Sequence, residues 1–167
     1  VARKSLVARI TERLKRYGTK RYLAICQGVP KFDHRRVDAP LGWNERLGRR
    51  GVVAGGKSAL SDITVLDRAA GAALVSVVLH TGRTHQIRIH MPHLGHPLMG
   101  EYRYPAETTA APESVELSVE SPRTALHAVE ITLGGEAPLR LVAPFPDDLR
   151  GLAARLGLDV PCLELRS

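Results

Sequence analysis

Two arginines follow an apolar strand in LHTGRTHQIRIH, residues 79–90. Gly82 permits a tight turn, Arg83 follows it at once, and Arg88 stands five residues further on. If Thr84 caps a helix here, Arg83 lies beside free backbone N–H groups, where a phosphate is favoured. Arg88 then lies one turn into that helix, where its guanidinium can form a bidentate pair with a carboxylate. From the residues alone, such a site and a pair of surface arginines are equally favoured.

Two other patterns suggest nucleotide or metal binding. Residues 51–58, GVVAGGKS, match G-x-x-x-x-G-K-[ST], but that phosphate loop must open a helix, and the following ALSDITVLDR predicts a strand. Five of the seven histidines lie between His80 and His96, where spacings of three can place two on one helix face. That stretch has no H-E-x-x-H pattern and none of the carboxylates or thiolates that zinc sites usually add. We therefore disfavour a nucleotide loop and predict no metal ion.

The positive charge of the chain is concentrated at its start. The net charge is +7, and residues 1–50 hold 14 Lys and Arg against 4 Asp and Glu, whereas residues 51–167 hold 10 against 13. Such a cluster attracts phosphate backbones. Because only 4% of the residues are aromatic, few side chains could anchor the chain in a membrane interface. The charge pattern favours nucleic acid as the partner, with a solvated basic helix as the alternative.

The remaining composition indicates an ordinary globular protein of the reducing cytoplasm. Cys26 and Cys162 are the only cysteines and lie far apart, so we expect no disulfide framework. No run of about 18 apolar residues is present, so we expect no membrane association. We also expect a monomer with no obligatory protein partner. Val1 stands where Met is usual, and the opening residues resemble the middle of a domain, so we expect further sequence upstream.

Apolar spacing and turn residues predict the elements that position these groups. Spacings of three and four among Leu6, Ile10, Leu14 and Tyr17 predict an amphipathic helix over 4–17 that ends at Gly18. Other runs predict a strand over 22–26, paired strands over 59–68 and 72–80, a helix over 84–95, a hairpin over 125–133 and 139–144, and a closing helix that starts near Pro146.

Paired strands with scattered helices indicate an α+β fold with a mixed, mainly antiparallel sheet in a single domain over residues 1–167. The tract GWNERLGRRG, residues 42–51, predicts a mobile basic loop. Residues 105–121 are acidic, contain proline and are rich in Ala, Thr and Ser, which predicts an exposed insertion.

Four ordered segments resemble the RluA-type pseudouridine synthases, which isomerise uridine to pseudouridine in ribosomal or transfer RNA. They are TGRTHQIRIHMPHLGHPLMGEYRYP at 81–105, KRYLAICQG at 20–28, GGKSALSDITVL at 55–66 and RTALHAVEITL at 123–133. The resemblance implies a mixed α/β fold, an RNA-binding cleft across a long sheet, and catalysis without a metal or cofactor.

The resemblance also implies roles for individual residues. Tyr22 is expected to pack against a flipped uracil and to assist proton transfer, and Arg88 to pair with a catalytic aspartate. Glu101 stands where the family usually has aspartate. Contacts to the RNA backbone are expected from Arg83, His85, Lys20 and Arg21.

The catalytic aspartate of the family lies in an H-R-x-D word upstream of the helix that precedes Tyr22. His34 to Asp38 look similar, but they follow Tyr22, so we reject Asp38 as the nucleophile. We therefore expect the aspartate upstream of Val1 and expect this chain to be inactive alone. The alternative is a non-catalytic RNA-binding homologue that keeps the cleft without the nucleophile. The target uridine is not readable from these residues, because RNA shape and flanking domains select it.

Overall fold

The computed structural model describes residues 2–105, 121–134 and 138–161 of the chain. It contains three α-helices and eight β-strands in this part of the chain. In order these are α1 (Ala2–Tyr17), β1 (Gly18–Gln27), β2 (His34–Asp38), β3 (Leu41–Asn44), β4 (Arg49–Val52), β5 (Leu60–Ala69), β6 (Ala72–Leu79), α2 (Gln86–His93), β7 (Leu126–Leu133), β8 (Leu139–Val142) and α3 (Asp147–Arg155).

Six of these strands form one sheet in the order β2-β5-β6-β1-β7-β8, and every neighbouring pair is antiparallel. One face of the sheet packs against α3 through a core that includes Phe145, Leu149 and Leu152. The other face packs against α2 through a core that includes Ile87 and Met91. The predicted α+β class, the paired strands β5 and β6 and the hairpin of β7 and β8 are confirmed.

Strand β1 lies inside the sheet, between β6 and β7, and contributes to both faces. Leu23 and Ile25 belong to the core on the α3 side, and Ala24 and Cys26 to the core on the α2 side. Because successive side chains of a strand point to opposite faces, Lys20 shares the α2 face with Tyr22, whereas Arg21 points to the α3 face. The strand therefore separates two of the residues that were predicted to act together, Lys20 and Arg21.

The predicted helix at the start of the chain is confirmed as α1, and β1 begins at Gly18 directly after it. The backbone at the junction of α1 and β1 is packed so tightly that a Cβ atom at Gly18 would lie 2.3 Å from the carbonyl oxygen of Leu14. Only glycine fits this junction. Ile10, on the apolar face of the predicted amphipathic helix, is 47% exposed, and Val7 is 63% exposed.

The prediction of a mobile loop over residues 42–51 is wrong, because these residues form most of a β-hairpin. Strands β3 and β4 pair antiparallel and are joined by a single 3₁₀ turn over Glu45–Leu47. The Asn44 side chain accepts a hydrogen bond from the Leu47 N–H at 3.1 Å, and Gly48 takes a φ of 58° to close the turn. Asn and Gly at these places are ordinary turn residues, but the strands are too short to show a period of two.

Residues 51–58 do not form a phosphate loop. Gly51 lies in β4, Lys57 bridges to Leu41, and β5 rather than a helix follows. The closing helix is confirmed as α3, which begins after Pro146 with Asp147 and Asp148 in its first turn, where acidic side chains favour the helix dipole.

Of the predicted insertion over 105–121, residues 106–120 lie outside the described residues, so the insertion stays a prediction. None of the described helices is long and apolar enough to span a membrane.

Candidate active site

The start of α2 departs from the sequence prediction. Thr84 was expected to cap the helix, but the helix begins at Gln86, and His85 occupies the capping position with a φ of 59° and no capping hydrogen bond from its side chain. Instead the Gln86 side-chain oxygen accepts from the Arg83 N–H at 3.0 Å and from the Thr81 hydroxyl at 2.9 Å. The first helical side chain thus folds back onto the preceding turn and fixes it.

A buried chain of hydrogen bonds ties α2 to the sheet beneath it. The Gln86 amide donates to the Leu60 carbonyl at 3.0 Å and to the Ser61 hydroxyl at 2.9 Å. Ser61 lies 2.9 Å from His90 Nδ1, and His90 Nε2 lies 3.1 Å from the Ala39 carbonyl. A carbonyl can only accept, so Nε2 carries the proton and Nδ1 accepts from Ser61. Burial lowers the pKa of His90, in keeping with this neutral ring.

Lowering the pH is expected to weaken the fold through His90. The unfolded chain binds a proton at this ring near its ordinary pKa of about 6.5, whereas the folded site keeps the ring neutral to a lower pH. The contribution of the neutral His90 ring to the free energy of unfolding is therefore present in full above about pH 6.5. It is lost as the pH falls toward the pKa of His90 in the folded protein, at up to about 1.4 kcal/mol per pH unit. Urea titrations across this range measure the slope.

His90→Gln is the matched variant for that measurement, because its amide can still donate to Ala39 and accept from Ser61 but does not titrate. It should show a smaller loss of stability on acidification than the wild-type protein. Some slope should remain, because burial also lowers the pKa values of His85 and His96. Equal slopes in the two proteins would show that His90 is not responsible.

Arg88, the third residue of α2, forms a bidentate ion pair with Glu101. Its Nε donates to Glu101 Oε2 at 2.5 Å and its Nη2 to Oε1 at 2.9 Å. The Glu101 side chain is 0% exposed and that of Arg88 is 25% exposed. Oε1 also accepts from the N–H groups of Arg103 at 2.8 Å and Tyr104 at 3.3 Å. Glu101 is therefore a buried anchor that sets the direction of the guanidinium.

The protonation of this pair follows from its partners. Burial acts to raise the pKa of Glu101, but the hydrogen bonds from Arg88 and from the two backbone N–H groups outweigh burial and hold that pKa below its usual range. The hydrogen bond to Glu101 raises the pKa of Arg88. Both groups are charged at neutral pH, and Arg88 is a fixed cation.

Glu101→Gln is expected to destabilise the protein by about 3 kcal/mol, because it leaves the charge of Arg88 without its buried partner and turns an amide N–H toward another donor. Urea denaturation measures the change. Glu101→Asp is the matched control, since it keeps the carboxylate and is the residue that the resemblance leads one to expect here. A loss in Glu101→Asp as large as that in Glu101→Gln would show that shape rather than charge holds this site together.

Three arginines surround the buried ring of Tyr104. Their guanidinium carbons lie 5.4 Å (Arg88), 5.5 Å (Arg49) and 5.9 Å (Arg103) from the ring centroid, within the range of cation–π attraction. The Tyr104 hydroxyl lies 2.7 Å from His85 Nδ1. Burial lowers the pKa of His85, and the nearby arginines lower it further. The result is a dense cationic surface around a neutral histidine.

Arg49 reaches this surface from β4, where its Nη1 donates to the Arg103 carbonyl at 2.7 Å. No role was predicted for Arg49, Arg103 or Tyr104, and Glu101 was not predicted to pair with Arg88. The signal that could have identified them is the segment EYRY at 101–104, which follows the motif that contains Arg88 and carries Glu101, Arg103 and Tyr104.

A cleft of about 380 Å³ opens next to the turn before α2. Lys20 of β1 and Arg83 of the turn line it together with Gly82, and the Lys20 ammonium lies 3.3 Å from where a Cβ of Gly82 would stand. Arg83 is held in place because its Nε donates to the Ser58 carbonyl at 2.8 Å. Two of the predicted RNA contacts, Lys20 and Arg83, are thus brought together, whereas Arg21 points to the other face of the sheet.

Tyr22 lies two residues beyond Lys20 on the same face of β1, between Val77 of β6 and Ala128 of β7. It is half-buried and packs against the core that includes Ile87 of α2. Burial raises the pKa of Tyr22, so its hydroxyl keeps its proton at neutral pH. The ring therefore offers an aromatic surface and a proton donor on the face of the sheet that carries α2.

Comparison with known proteins defines the family. The model of the RNA pseudouridylate synthase family matches residues 1–93. Ribosomal large subunit pseudouridine synthase D of Nitrosomonas europaea is 36% identical over 80% of this chain and 39% of its own length. The protein of the same name from Neisseria meningitidis serogroup A is 35% identical over 95% of this chain and 43% of its own length.

A solved structure, human RNA pseudouridylate synthase domain containing 4, superposes with a TM-score of 0.75 and 26% identity over 95% of this chain and 70% of that chain. The chain belongs to the RNA pseudouridylate synthase family, as the resemblance to RluA-type enzymes predicted. It spans about two fifths of the length of these two curated relatives.

Proposed function

We propose that this protein isomerises uridine to pseudouridine in ribosomal or transfer RNA. The reaction breaks the bond from ribose C1′ to uracil N1, turns the base and joins C1′ to C5. C5 then loses its proton, and N1 gains one. Atoms and electrons balance within the nucleoside, so no cofactor or metal is required. The observation that carries the proposal is Arg88, a cation fixed by a buried carboxylate at the start of α2.

Arg88 has hydrogen-bonding capacity left for a second carboxylate. Glu101 accepts the hydrogen bonds from Arg88 Nε and Nη2, and no residue in the described part of the chain accepts one from Nη1. A guanidinium has five donors, so it can bind two carboxylates at once, which an ammonium cannot do with the same geometry. We propose that the second carboxylate is the nucleophilic aspartate that the family resemblance places upstream of Val1. Residues 1–167 alone are then expected to be inactive.

Tyr22 is proposed to receive the uracil after it leaves the RNA stack. A flipped base is held by stacking against aromatic or apolar side chains. The protonated hydroxyl of Tyr22 would assist the proton transfer that follows formation of the new carbon–carbon bond.

The RNA backbone is proposed to lie along the cations beside this site. Lys20 and Arg83 line the cleft, and His85 lies within the cationic surface around Tyr104. Arg49 and Arg103 add two positive charges to that surface. Arg21 points to the other face of the sheet, so it is proposed to contact RNA only where the RNA passes around the edge of the sheet. The substrate is proposed to be bound by a cytoplasmic monomer.

Tritium release tests this function. The full-length protein is incubated with ribosomal and transfer RNA that carry tritium at C5 of uridine, and the label is expected to enter water as pseudouridine forms. Salt-sensitive RNA binding without release from any RNA pool would contradict isomerisation and favour the non-catalytic RNA-binding homologue.

A further inference from the structure

A second groove lies near the opposite end of β1 from Lys20, on the face of the sheet that carries α2. Its volume is about 490 Å³. His96 marks its position, because its Nδ1 lies 3.2 Å from the carbonyl oxygen of Gln27, the last residue of β1. Gln27 lies seven positions along the extended strand from Lys20, a distance of roughly 23 Å. The residues that line the groove are Val29, Lys31, Phe32, Arg35, Leu94, Gly95 and His96.

Both walls of the groove are held by hydrogen bonds in the free protein. Arg68 fixes the loop of residues 30–33, since Nε donates to the Pro30 carbonyl at 3.2 Å and Nη2 to the Phe32 carbonyl at 2.9 Å and to Asp33 at 2.6 Å. The opposite wall is attached to β1, because the Gln27 N–H donates to the Pro97 carbonyl at 2.8 Å. A ligand would meet a preformed site and would not have to order these segments.

The lining combines an aromatic ring, a free acceptor and two cations. Phe32 is half-buried and meets the His96 ring edge to face at 6.3 Å. His96 is 9% exposed, and its Nδ1 must donate to the Gln27 carbonyl, so Nε2 is an acceptor. Burial lowers the pKa of His96 and keeps it neutral. Within the described residues, Nε2 has no partner, and Lys31 and Arg35 have no ion-pair partner; the nearby Asp33 carboxylate pairs with Arg68.

We propose that this groove binds a nucleotide of single-stranded RNA that flanks the modified uridine, with its base against Phe32 and its phosphate at Lys31 and Arg35. A base N–H or a ribose 2′-hydroxyl would donate to His96 Nε2. Aromatic stacking together with cations at the backbone is how single strands are generally held. An acidic segment of Asp and Glu would also meet the two cations, but it has no planar ring to stack against Phe32. The proposal rests on the proposed function, since it requires that the protein binds RNA.

Binding of two probes to the full-length protein tests the groove. Fluorescence anisotropy measures affinity for a labelled octauridylate, which can reach both sites, and for a uridine dinucleotide, which cannot. Phe32→Leu keeps an apolar side chain but removes the stacking surface, and should weaken octauridylate binding about tenfold. Arg35→Gln, on an exposed edge strand, should weaken it severalfold and reduce its salt dependence by about one phosphate contact. A dinucleotide can occupy only one site at a time and is expected to prefer the candidate active-site cleft, so its binding should change much less than that of octauridylate in both variants.

Two further variants separate the possible outcomes. Arg155→Gln removes an exposed arginine from α3, on the opposite face of the sheet, and should leave both affinities unchanged. Lys20→Gln in the candidate active-site cleft should weaken both probes. If Lys20→Gln weakens binding but Phe32→Leu and Arg35→Gln do not, the groove proposal is wrong and the proposed function stands. If the wild-type protein binds neither probe, both proposals fail. Displacement of octauridylate by polyglutamate at equal charge concentration would also contradict the proposal that the groove binds RNA, and would favour an acidic protein partner.

Discussion

Arg88→Lys is expected to lower the turnover of the full-length enzyme by about 10²–10³-fold, the usual effect of removing a preorganised hydrogen-bond donor from an active site. In the structure Arg88 gives Nε and Nη2 to Glu101 and keeps Nη1 for another acceptor. A lysine ammonium would be drawn to Glu101 and could not hold a second carboxylate in a fixed direction. The positive charge is retained, so RNA affinity should change little. Single-turnover tritium release, together with RNA binding, measures the two effects separately.

The control for this variant is Arg155→Lys, which makes the same change at an exposed position of α3. It should keep the wild-type rate. If Arg88→Lys also keeps the wild-type rate, the forked contact is not part of catalysis. If it loses RNA affinity to the same extent as turnover, Arg88 binds the substrate and does not orient a carboxylate.

Tyr22→Phe is expected to retain RNA binding and to lower turnover by about 10²-fold, within the range attributed to a positioned proton donor. The phenyl ring preserves the packing against the α2-side core and the stacking surface, and only the hydroxyl is lost. Because burial raises the pKa of Tyr22, the hydroxyl is protonated throughout the neutral pH range, and its removal should lower the rate by a similar factor across that range. Single-turnover rates at saturating RNA measure this change.

Tyr102→Phe is the matched control, since Tyr102 is 82% exposed and its hydroxyl makes only a long contact to the Ser121 carbonyl at 3.4 Å. It should behave as the wild-type protein does. Loss of RNA binding in Tyr22→Phe, with the rate at saturating RNA unchanged, would show that Tyr22 serves the substrate complex rather than the proton transfer.

The elements that the sequence predicted correctly are those whose pattern is local. β5 and β6 are long, rich in β-branched residues and separated by a turn, so their pairing could be predicted from the run itself. The pairing of β3 and β4 could not be predicted in this way, because strands of four residues are too short to show a period of two. The start of α2 was misplaced because the Gln86 side chain reaches back to accept from the Arg83 N–H, and residues 83–85 form a turn outside the helix, so Thr84 does not cap it.

The candidate site was predicted only in part, for a similar reason. Arg88 and Tyr22 were identified from motifs, and the structure places both on elements of one sheet face. The partner of Arg88 was missed, because Glu101 is thirteen residues away and is brought to it by a turn that no local pattern specifies. Arg49 comes from a hairpin predicted to be a mobile loop. Arg21 was grouped with Lys20 by proximity in sequence, although neighbouring strand residues face opposite sides.

Mapping pseudouridine in the RNA of the source cells before and after the gene is deleted tests the proposed isomerisation directly. At least one pseudouridine should disappear on deletion, the wild-type gene should restore it, and a gene encoding Arg88→Lys at equal protein level should not. A complete pseudouridine map in the deletion strain, or full restoration by Arg88→Lys, would contradict the proposed isomerisation or the role of Arg88 in it.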